Sequence, residues 1–359
     1  MKIFHCDHCD QLVFFENTQC VSCGHLLAFL PDLAEIGSLE RDDDAWRSPL
    51  AAAEGRTYRL CRNYREANVC NWAVLPDDEQ DLCRSCRLTR VIPDLAQPGQ
   101  RDAWYRLEVA KRRLIYSVLS LRLPLVSKAE DPDGGLAFEF LTEPANPGDA
   151  PALTGHAGGV ISINVAEADD AERERRRHAL HEPYRTLLGH FRHESGHYYW
   201  DRLVSNTDRL EQFRQAFGDE RQDYAQALQT HYANGPSPEW QQRFVTAYAS
   251  AHPWEDWAET WAHYLHMTDT LEAAGAFGLS LKPKRRDEPA LKKVPASVGT
   301  PDSPFNRLIE SWFPLTYVLN ELNRGMGLAD AYPFVLSAPA VEKLHVVHEM
   351  IADASSGRA

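Results

Sequence analysis

The chain has 359 residues, 43% of them hydrophobic, and a formal net charge of -14 at pH 7. This length and apolar content allow two or three globular domains with at least one sizeable core. The negative charge argues against wholesale binding to nucleic acid or to an anionic membrane, because either surface would repel most of the protein. The sequence has no apolar run of about 18 residues and starts with polar residues, so we expect no membrane span, no signal peptide and a cytoplasmic location.

The cysteines are confined to the N-terminal part of the chain. All eight lie within the first 86 residues, mostly as C-x-x-C pairs, which favours metal binding over disulfides. The first two pairs predict a closed tetrahedral zinc site, and a segment of about 25 residues would need that metal in order to fold. His5 and His8 flank the first pair and could substitute as ligands, but with four cysteines available they are interpreted as solvated side chains. The predicted ligands of this structural zinc are Cys6, Cys9, Cys20 and Cys23.

A second cysteine cluster follows, with a less regular spacing. Only its last two members form a C-x-x-C pair, so a second structural zinc is predicted, with buried or free thiols as the alternative. Arginines and aromatic residues around it could contact nucleic acid or an acidic protein, although nearby acidic residues make a salt-bridged surface the simpler interpretation. We therefore predict a zinc-ribbon region over residues 1–95. The predicted ligands of the second zinc are Cys61, Cys70, Cys83 and Cys86.

The segment after the cysteines predicts a linker, a long helix and two strands. Residues 98–102 are typical of a linker, and residues 104–121 carry apolar side chains at helical spacing. Residues 136–142 alternate as a strand does, and residues 160–165 predict a second strand.

The motif His193-Glu194-Ser195-Gly196-His197 is the pattern H-E-x-x-H. On a helix, residues four apart share a face, so both imidazoles can reach one zinc ion while Glu194 points at a water on that ion. An open zinc site lowers the pKa of its bound water to about 7, and Glu194 is the predicted general base. Pro183 suits the first position of the helix, and apolar residues follow at helical spacing.

The third ligand is expected downstream, on a second predicted helix. Glu255 and Glu259 lie four residues apart there, and three interleaved tryptophans should draw this helix into the core. We assign Glu255 to the metal and Glu259 to the remaining ring N–H of a ligand histidine. Asp256 and Asp201 are rival ligands. His190, three residues before His193, is a second candidate for a supporting contact.

The chain resembles a bacterial family of zinc-binding metallopeptidases that carry an N-terminal zinc ribbon. The resemblance covers nearly the whole chain and rests on the first cysteine cluster, on HFRHESGHYYWD at 190–201 and on PWEDWAETWAH at 253–263. It implies a zincin fold for the part that holds H-E-x-x-H. In zinc proteases of this type an edge strand often pairs with the substrate backbone, and residues 160–165 are the candidate, with an ordinary core strand as the alternative.

The C-terminal part of the pattern is also similar to gluzincins such as the catalytic domain of anthrax lethal factor. There a glutamate that opens an E-x-x-A-E segment is the third zinc ligand, and a tyrosine seven residues earlier steadies the oxyanion. Glu255 and Glu259 match that segment, and Tyr248 matches the tyrosine. The resemblance implies that Tyr248 donates a hydrogen bond to the developing negative charge. Its local sequence alone is more typical of a core residue.

The remaining chain predicts a loop or lid over residues 281–304 and amphipathic helices over 305–323 and 341–351. The predicted fold class is therefore α+β. Zinc-ribbon modules over 1–95 precede a mainly helical, zincin-like metallopeptidase domain with a small mixed sheet over 96–359.

Two functions follow from these patterns. The first is a cytoplasmic zinc peptidase with one catalytic and one or two structural zinc ions, whose ribbons recruit a peptide or protein substrate or another partner. The alternative is a zinc-ribbon adaptor that binds protein or nucleic acid and holds a non-catalytic zinc in the H-E-x-x-H domain. Glu194 favours catalysis, because a purely structural site has no use for a carboxylate beside an open metal position.

Overall fold

The computed structural model describes residues 2–143, 152–179, 184–285, 287–295 and 298–357. The chain forms two compact units. The ribbon unit comprises Lys2–Tyr116 and Val126–Arg173, and the helical unit comprises Ser117–Leu125 and Glu174–Ala359. The predicted domain boundary at residue 95 divides the chain by its sequence motifs and stays a prediction.

All eight cysteines of the ribbon unit lie on turns and loops next to short strands, and Cys86 starts a single 3₁₀ turn. Strands β1 and β2 form a two-stranded sheet, and β3 to β7 form a five-stranded antiparallel sheet in chain order. An aromatic cluster fills the interior, where the rings of Phe15 and Phe29 lie 5.3 Å apart and those of Phe29 and Trp72 lie 4.5 Å apart. The strands are β1 (Phe4–His5), β2 (Leu12–Val13), β3 (Leu26–Leu30), β4 (Glu35–Asp42), β5 (Ala45–Arg47), β6 (Thr57–Leu60) and β7 (Ala73–Val74).

A long helix and a small mixed sheet follow. Their elements are β8 (Thr89–Val91), α1 (Gln100–Ser120), β9 (Ala137–Leu141), β10 (Gly155–Ala157), β11 (Val160–Asn164) and α2 (Asp170–Ala179). In the order β10-β11-β9-β8, β9 pairs in parallel with β11 and β8, and β10 pairs antiparallel with β11. The long helix predicted over 104–121 and the strand predicted over 136–142 are confirmed.

The prediction that residues 160–165 form an edge strand is wrong. Strand β11 lies between β9 and β10, so both of its sides are paired. The reason is the turn at Gly158 and Gly159, whose φ angles of 52° and 82° fold β10 back onto β11. Ile161 and Ile163 are fully buried, as the alternative of a core strand requires.

In the described part of the helical unit, six α-helices follow α2. They are α3 (Leu187–Leu203), α4 (Leu210–Phe217), α5 (Tyr224–Asn234), α6 (Pro253–Ala276), α7 (Phe305–Gly325) and α8 (Ala338–Ser355). Helix α3 starts later than predicted, because Thr186 is its N-cap and its hydroxyl accepts a hydrogen bond from the Gly189 N–H at 3.0 Å. Pro183 lies outside the described residues. The helices predicted over 305–323 and 341–351 are confirmed, with Pro314 inside α7.

Helices α3 and α6 pack closely enough to set the geometry of the site. A Cβ on Gly196 would lie 2.9 Å from Ala258 Cα, so only glycine fits at this crossing. Trp257 Nε1 donates to the Gly196 carbonyl at 2.8 Å, and Trp261 Nε1 donates to Ser195 Oγ at 3.1 Å. Both tryptophans are fully buried, as the tryptophan pattern predicts. The two residues inside H-E-x-x-H therefore join α3 to α6.

The stretch between α6 and α7 is a loop where the structure describes it, apart from a bridge that pairs Leu281 with Leu291. No helix among the described residues is long and apolar enough to cross a bilayer. A cysteine-rich ribbon region with sheets, followed by a mainly helical part and a small mixed sheet, confirms the predicted α+β class.

Candidate metal centre

Two helices bring His193, His197 and Glu255 together. The histidines lie one turn apart on α3, and Glu255 lies in the first turn of α6. The Glu255 Oε2 atom is 3.0 Å from His193 Nε2 and 3.6 Å from His197 Nε2. One donor atom from each residue lies within 4.8 Å of the other two, so the three could hold one metal ion.

The start of α6 is fixed by a cap that aims Glu255. The ring of His252 accepts a hydrogen bond from the Trp254 N–H at Nδ1, at 3.1 Å, and its Nε2 lies 3.2 Å from the Gln222 carbonyl. Pro253 occupies the first turn, where its missing N–H costs nothing. A carboxylate in this first turn is also stabilised by the positive end of the helix dipole.

The donor set fits a zinc ion. Glu255 is 1% exposed, and its Oε2 is buried without an aligned hydrogen bond in the described structure, although two imidazole nitrogens surround it. Burial alone would raise the pKa of Glu255, but the neighbouring His193 and His197 hold it well below its usual value. Two imidazoles and a carboxylate form the three-ligand set of open zinc sites.

Glu259 lies where the sequence predicts a supporting carboxylate. Its Oε1 is 2.6 Å from His193 Nδ1, and its Oε2 accepts a hydrogen bond from the Thr246 hydroxyl at 2.7 Å. A carboxylate at Nδ1 keeps the proton on that nitrogen and leaves the Nε2 lone pair free for a metal.

Tyr224 is a further contact to the third ligand that the sequence did not predict. From the start of α5 its hydroxyl donates to Glu255 Oε1 at 2.5 Å, on the opposite oxygen from the histidines. Trp254 packs on the other side, with its ring centroid 4.0 Å from that of His197. Tyr224 precedes Glu255 by 31 residues, and no local pattern marks it.

Glu194 and Tyr248 are the predicted catalytic groups. Glu194 is buried beside the ligand histidines, and burial raises its pKa more than the two imidazoles lower it. The ring of Tyr248 lies 5.9 Å from that of His193. Burial, then the negative charge of Glu255, raise the pKa of Tyr248 far above its usual value, so its hydroxyl keeps its proton. The roles of both residues stay predictions.

The rival ligands Asp256 and Asp201 lie outside the converging group. Asp256 is fully buried and forms an ion pair with Lys343 Nζ at 2.6 Å, while burial raises its pKa to about 7 against the effect of that lysine. Within the described chain neither Asp256 nor Asp201 belongs to a group of converging donors, which favours Glu255. His190 is half-buried one turn before His193, and its supporting role stays a prediction.

The first cysteine cluster converges as predicted for one metal site. Its four Sγ atoms lie within 4.8 Å of one another, with Cys6 and Cys23 at 3.7 Å and Cys9 and Cys20 at 3.6 Å. These separations are far longer than a disulfide bond, and all eight cysteines are free. Both observations fit a four-thiolate zinc site.

The second cluster converges in the same way and is entirely buried. Backbone N–H groups of Trp72, Cys83 and Cys86 point at its sulfurs at 3.4 Å. Zinc with four thiolates carries a net charge of -2, which burial would disfavour without cations nearby. The buried Arg112 supplies one, whereas the buried Lys111 pairs at 2.8 Å with Glu108, whose Oε2 lies 4.0 Å from Cys86 Sγ. Burial would lower the pKa of Arg112, but the thiolates, Cys70 foremost, raise it. This setting favours zinc over free thiols.

Comparisons with known proteins agree with this description. A family model described as "Putative zinc-binding metallo-peptidase" matches residues 100–350, and a zinc-ribbon model matches residues 3–97. Uncharacterized proteins of Mycobacterium bovis and of two strains of Mycobacterium tuberculosis are 44% identical over 352 residues, covering 98% of this chain and 95% of theirs. No solved structure matches the chain significantly, so the likeness to lethal factor stays a prediction.

Proposed function

The chain belongs to the zinc-binding metallo-peptidase family, and from this premise we propose that it hydrolyses peptide bonds at His193, His197 and Glu255. The observation that carries the proposal is the convergence of these three donors around the buried Glu255 Oε2, with Glu194 on the next position of the same helix. A zinc ion held there would polarise the scissile carbonyl and lower the pKa of a water to about 7.

The chain's own residues would divide the remaining work. Glu259 orients His193 and Tyr224 orients Glu255, so both ligands are held in place before a substrate arrives. Glu194 would take a proton from the attacking water and pass it to the leaving amine, a role that suits a carboxylate whose pKa is raised by burial. Tyr248 would donate a hydrogen bond to the carbonyl oxygen as negative charge develops on it.

The ribbons would recruit the polypeptide that is cut. Val21 is 86% exposed on the turn between Cys20 and Cys23, and Phe14 is 66% exposed nearby in sequence. Apolar side chains held out on a metal-fixed turn suit a protein partner better than a polyphosphate, as does the net charge of -14. Replacing both by serine should raise KM for a protein substrate and leave kcat unchanged. An unchanged KM would remove the recruiting role.

The thiolate sites also suggest a compartment. Four-cysteine zinc sites need reduced cysteines, and all eight are free in this structure. Reducing conditions are typical of the cytoplasm, where we place the protein.

The replacement Glu194→Gln tests the peptidase proposal. It should preserve the bound zinc and lower kcat for peptide hydrolysis by about 10²- to 10⁴-fold, because it removes the general base without removing a ligand. Glu342→Gln, at an exposed position of α8, is the matched control and should retain full activity. If Glu194→Gln holds its zinc and cleaves as fast as the wild type, Glu194 is not the general base, whereas a zinc-loaded wild type that cleaves no peptide would favour the adaptor hypothesis.

A further inference from the structure

A third kind of donor cluster lies beside the first cysteine cluster. One donor atom each from His8, His25 and Glu40 lies within 4.8 Å of the other two. The two imidazole rings are stacked, with centroids 3.8 Å apart and planes 30° apart. In the part of the chain that the structure describes, none of the three side chains makes a hydrogen bond or ion pair, and His25 Nδ1 is buried without a partner. Three groups that can bind a cation thus converge while none satisfies another.

The backbone fixes both histidines in this arrangement. His8 lies inside the turn between Cys6 and Cys9, where the N–H of Asp10 donates to the Cys6 carbonyl at 2.8 Å. The His25 carbonyl accepts from the N–H of Cys20 at 2.9 Å. Each imidazole therefore projects from a turn that a zinc ligand anchors.

The carboxylate is tied to the same frame by another route. Asp7, next to His8, accepts a hydrogen bond from the Ser38 N–H at 2.7 Å. Ser38 and Glu40 both lie on β4, two residues apart. The strand that carries Glu40 is thereby fastened to the turn that carries His8, so the backbone positions of the three residues are set whenever the segment around the first cysteine cluster is folded.

We propose that His8, His25 and Glu40 bind a divalent first-row transition-metal ion such as Ni²⁺, Cu²⁺ or Zn²⁺. Two imidazole nitrogens and one carboxylate oxygen suit these ions, whereas Ca²⁺ and Mg²⁺ need more oxygen ligands than the cluster offers. The site is distinct from the neighbouring zinc site, whose four donors are all sulfurs. His8 and Glu40 are exposed, so coordination positions stay open to water or to a donor from a partner. The ion should exchange more readily than the zinc within four thiolates.

Nickel titration tests the site in the full-length protein, first dialysed against a weak chelator so that zinc remains only in its four-thiolate and helical sites, with Ni²⁺ as the probe. The wild type should bind one further equivalent of Ni²⁺ without releasing zinc. His8→Ala and His25→Ala should each weaken that binding about tenfold or more and retain the ribbon zinc. His5→Ala is the control, because His5 is exposed nearby on β1 yet outside the cluster, and it should bind Ni²⁺ as the wild type does.

Three results would overturn the proposal. The first is a wild type that takes up no additional Ni²⁺, and the second is uptake matched by an equal release of zinc. The third is unchanged affinity in His8→Ala. If a histidine replacement strips the ribbon zinc, Glu40→Gln decides, because it changes an exposed residue of β4 that is not part of either C-x-x-C turn. This variant should also bind Ni²⁺ about tenfold more weakly, and an unchanged affinity would refute the site.

Discussion

The four-cysteine clusters draw their candidate ligands from turns and loops, whereas the His193, His197 and Glu255 group draws its candidate ligands from two long, closely packed helices. In the clusters, a bound metal would account for much of the order around it, since strands such as β1 and β2 have only two residues each. In the helical unit, tryptophans and Gly196 lock α3 against α6 independently of any ion. A metal with four protein ligands would therefore stabilise the fold around it, whereas the three-donor site is shaped by helix packing that needs no metal.

Removal of zinc should have the largest effect, because it should unfold the segments around the cysteine clusters but not the helices of the open site. Structural zinc contributes apparent binding free energies of about 10–16 kcal/mol in small zinc domains. A strong chelator should therefore unfold the segments around the two cysteine clusters and leave α3 and α6 folded. Hydrogen exchange followed by mass spectrometry, with and without chelator, measures this by segment. Equal loss of protection in α3, in α6 and around the cysteine clusters would contradict the claim that only the cysteine clusters need zinc to fold.

Lys343→Met should cost the helical unit about 3–5 kcal/mol of unfolding free energy, because it leaves the buried Asp256 without its partner. Zinc at the open site should remain bound, since Asp256 faces Lys343 rather than the histidines. Denaturant unfolding and zinc analysis of the same sample report both quantities. Loss of that zinc in a folded variant would return Asp256 to the list of ligands.

The stability of the helical unit should fall in mild acid. Burial lowers the pKa of His263 to about 4, against about 6.5 in an unfolded chain. Between these values the unfolded state binds more protons, so stability decreases as the pH drops from 6.5 to 4, by about 3 kcal/mol for this one residue. His263→Gln should flatten the pH dependence between pH 7 and about pH 5 in denaturant titrations. A slope identical to that of the wild type would contradict this account.

Tyr224→Phe should change only the open site. Losing the hydrogen bond to Glu255 Oε1 should weaken zinc affinity there by about 10- to 100-fold, while the ribbon zinc stays bound. Competition with a fluorescent chelator measures the affinity. Tyr232→Phe, on the same helix and 64% exposed, is the matched control. Equal affinities in the two variants would show that Tyr224 does not position the ligand.

Sequence reasoning succeeded where the chemistry is local. The C-x-x-C pairs and H-E-x-x-H place candidate ligands within one turn, and these donors converge as predicted; the four-residue spacing of Glu255 and Glu259 identifies one face of α6. It failed where distant segments meet. Tyr224 contacts Glu255 only through the tertiary fold. Strand β11 is not an edge strand because β10, a three-residue strand without any periodic pattern, pairs with it.

The same limit applies to the first ribbon. The sequence shows that His8 and His25 lie next to cysteines. Their convergence with Glu40 depends on how β4 folds back against the turn between Cys6 and Cys9. Spacing alone therefore indicates a solvated His8.

The most direct test of the open site is a zinc count by native mass spectrometry on the wild type and on a His193→Ala, His197→Ala double variant. The account predicts one zinc fewer in the variant, with the ribbon zinc retained and peptide hydrolysis abolished. Equal zinc counts in the two folded proteins would contradict the claim that α3 and α6 together hold a metal.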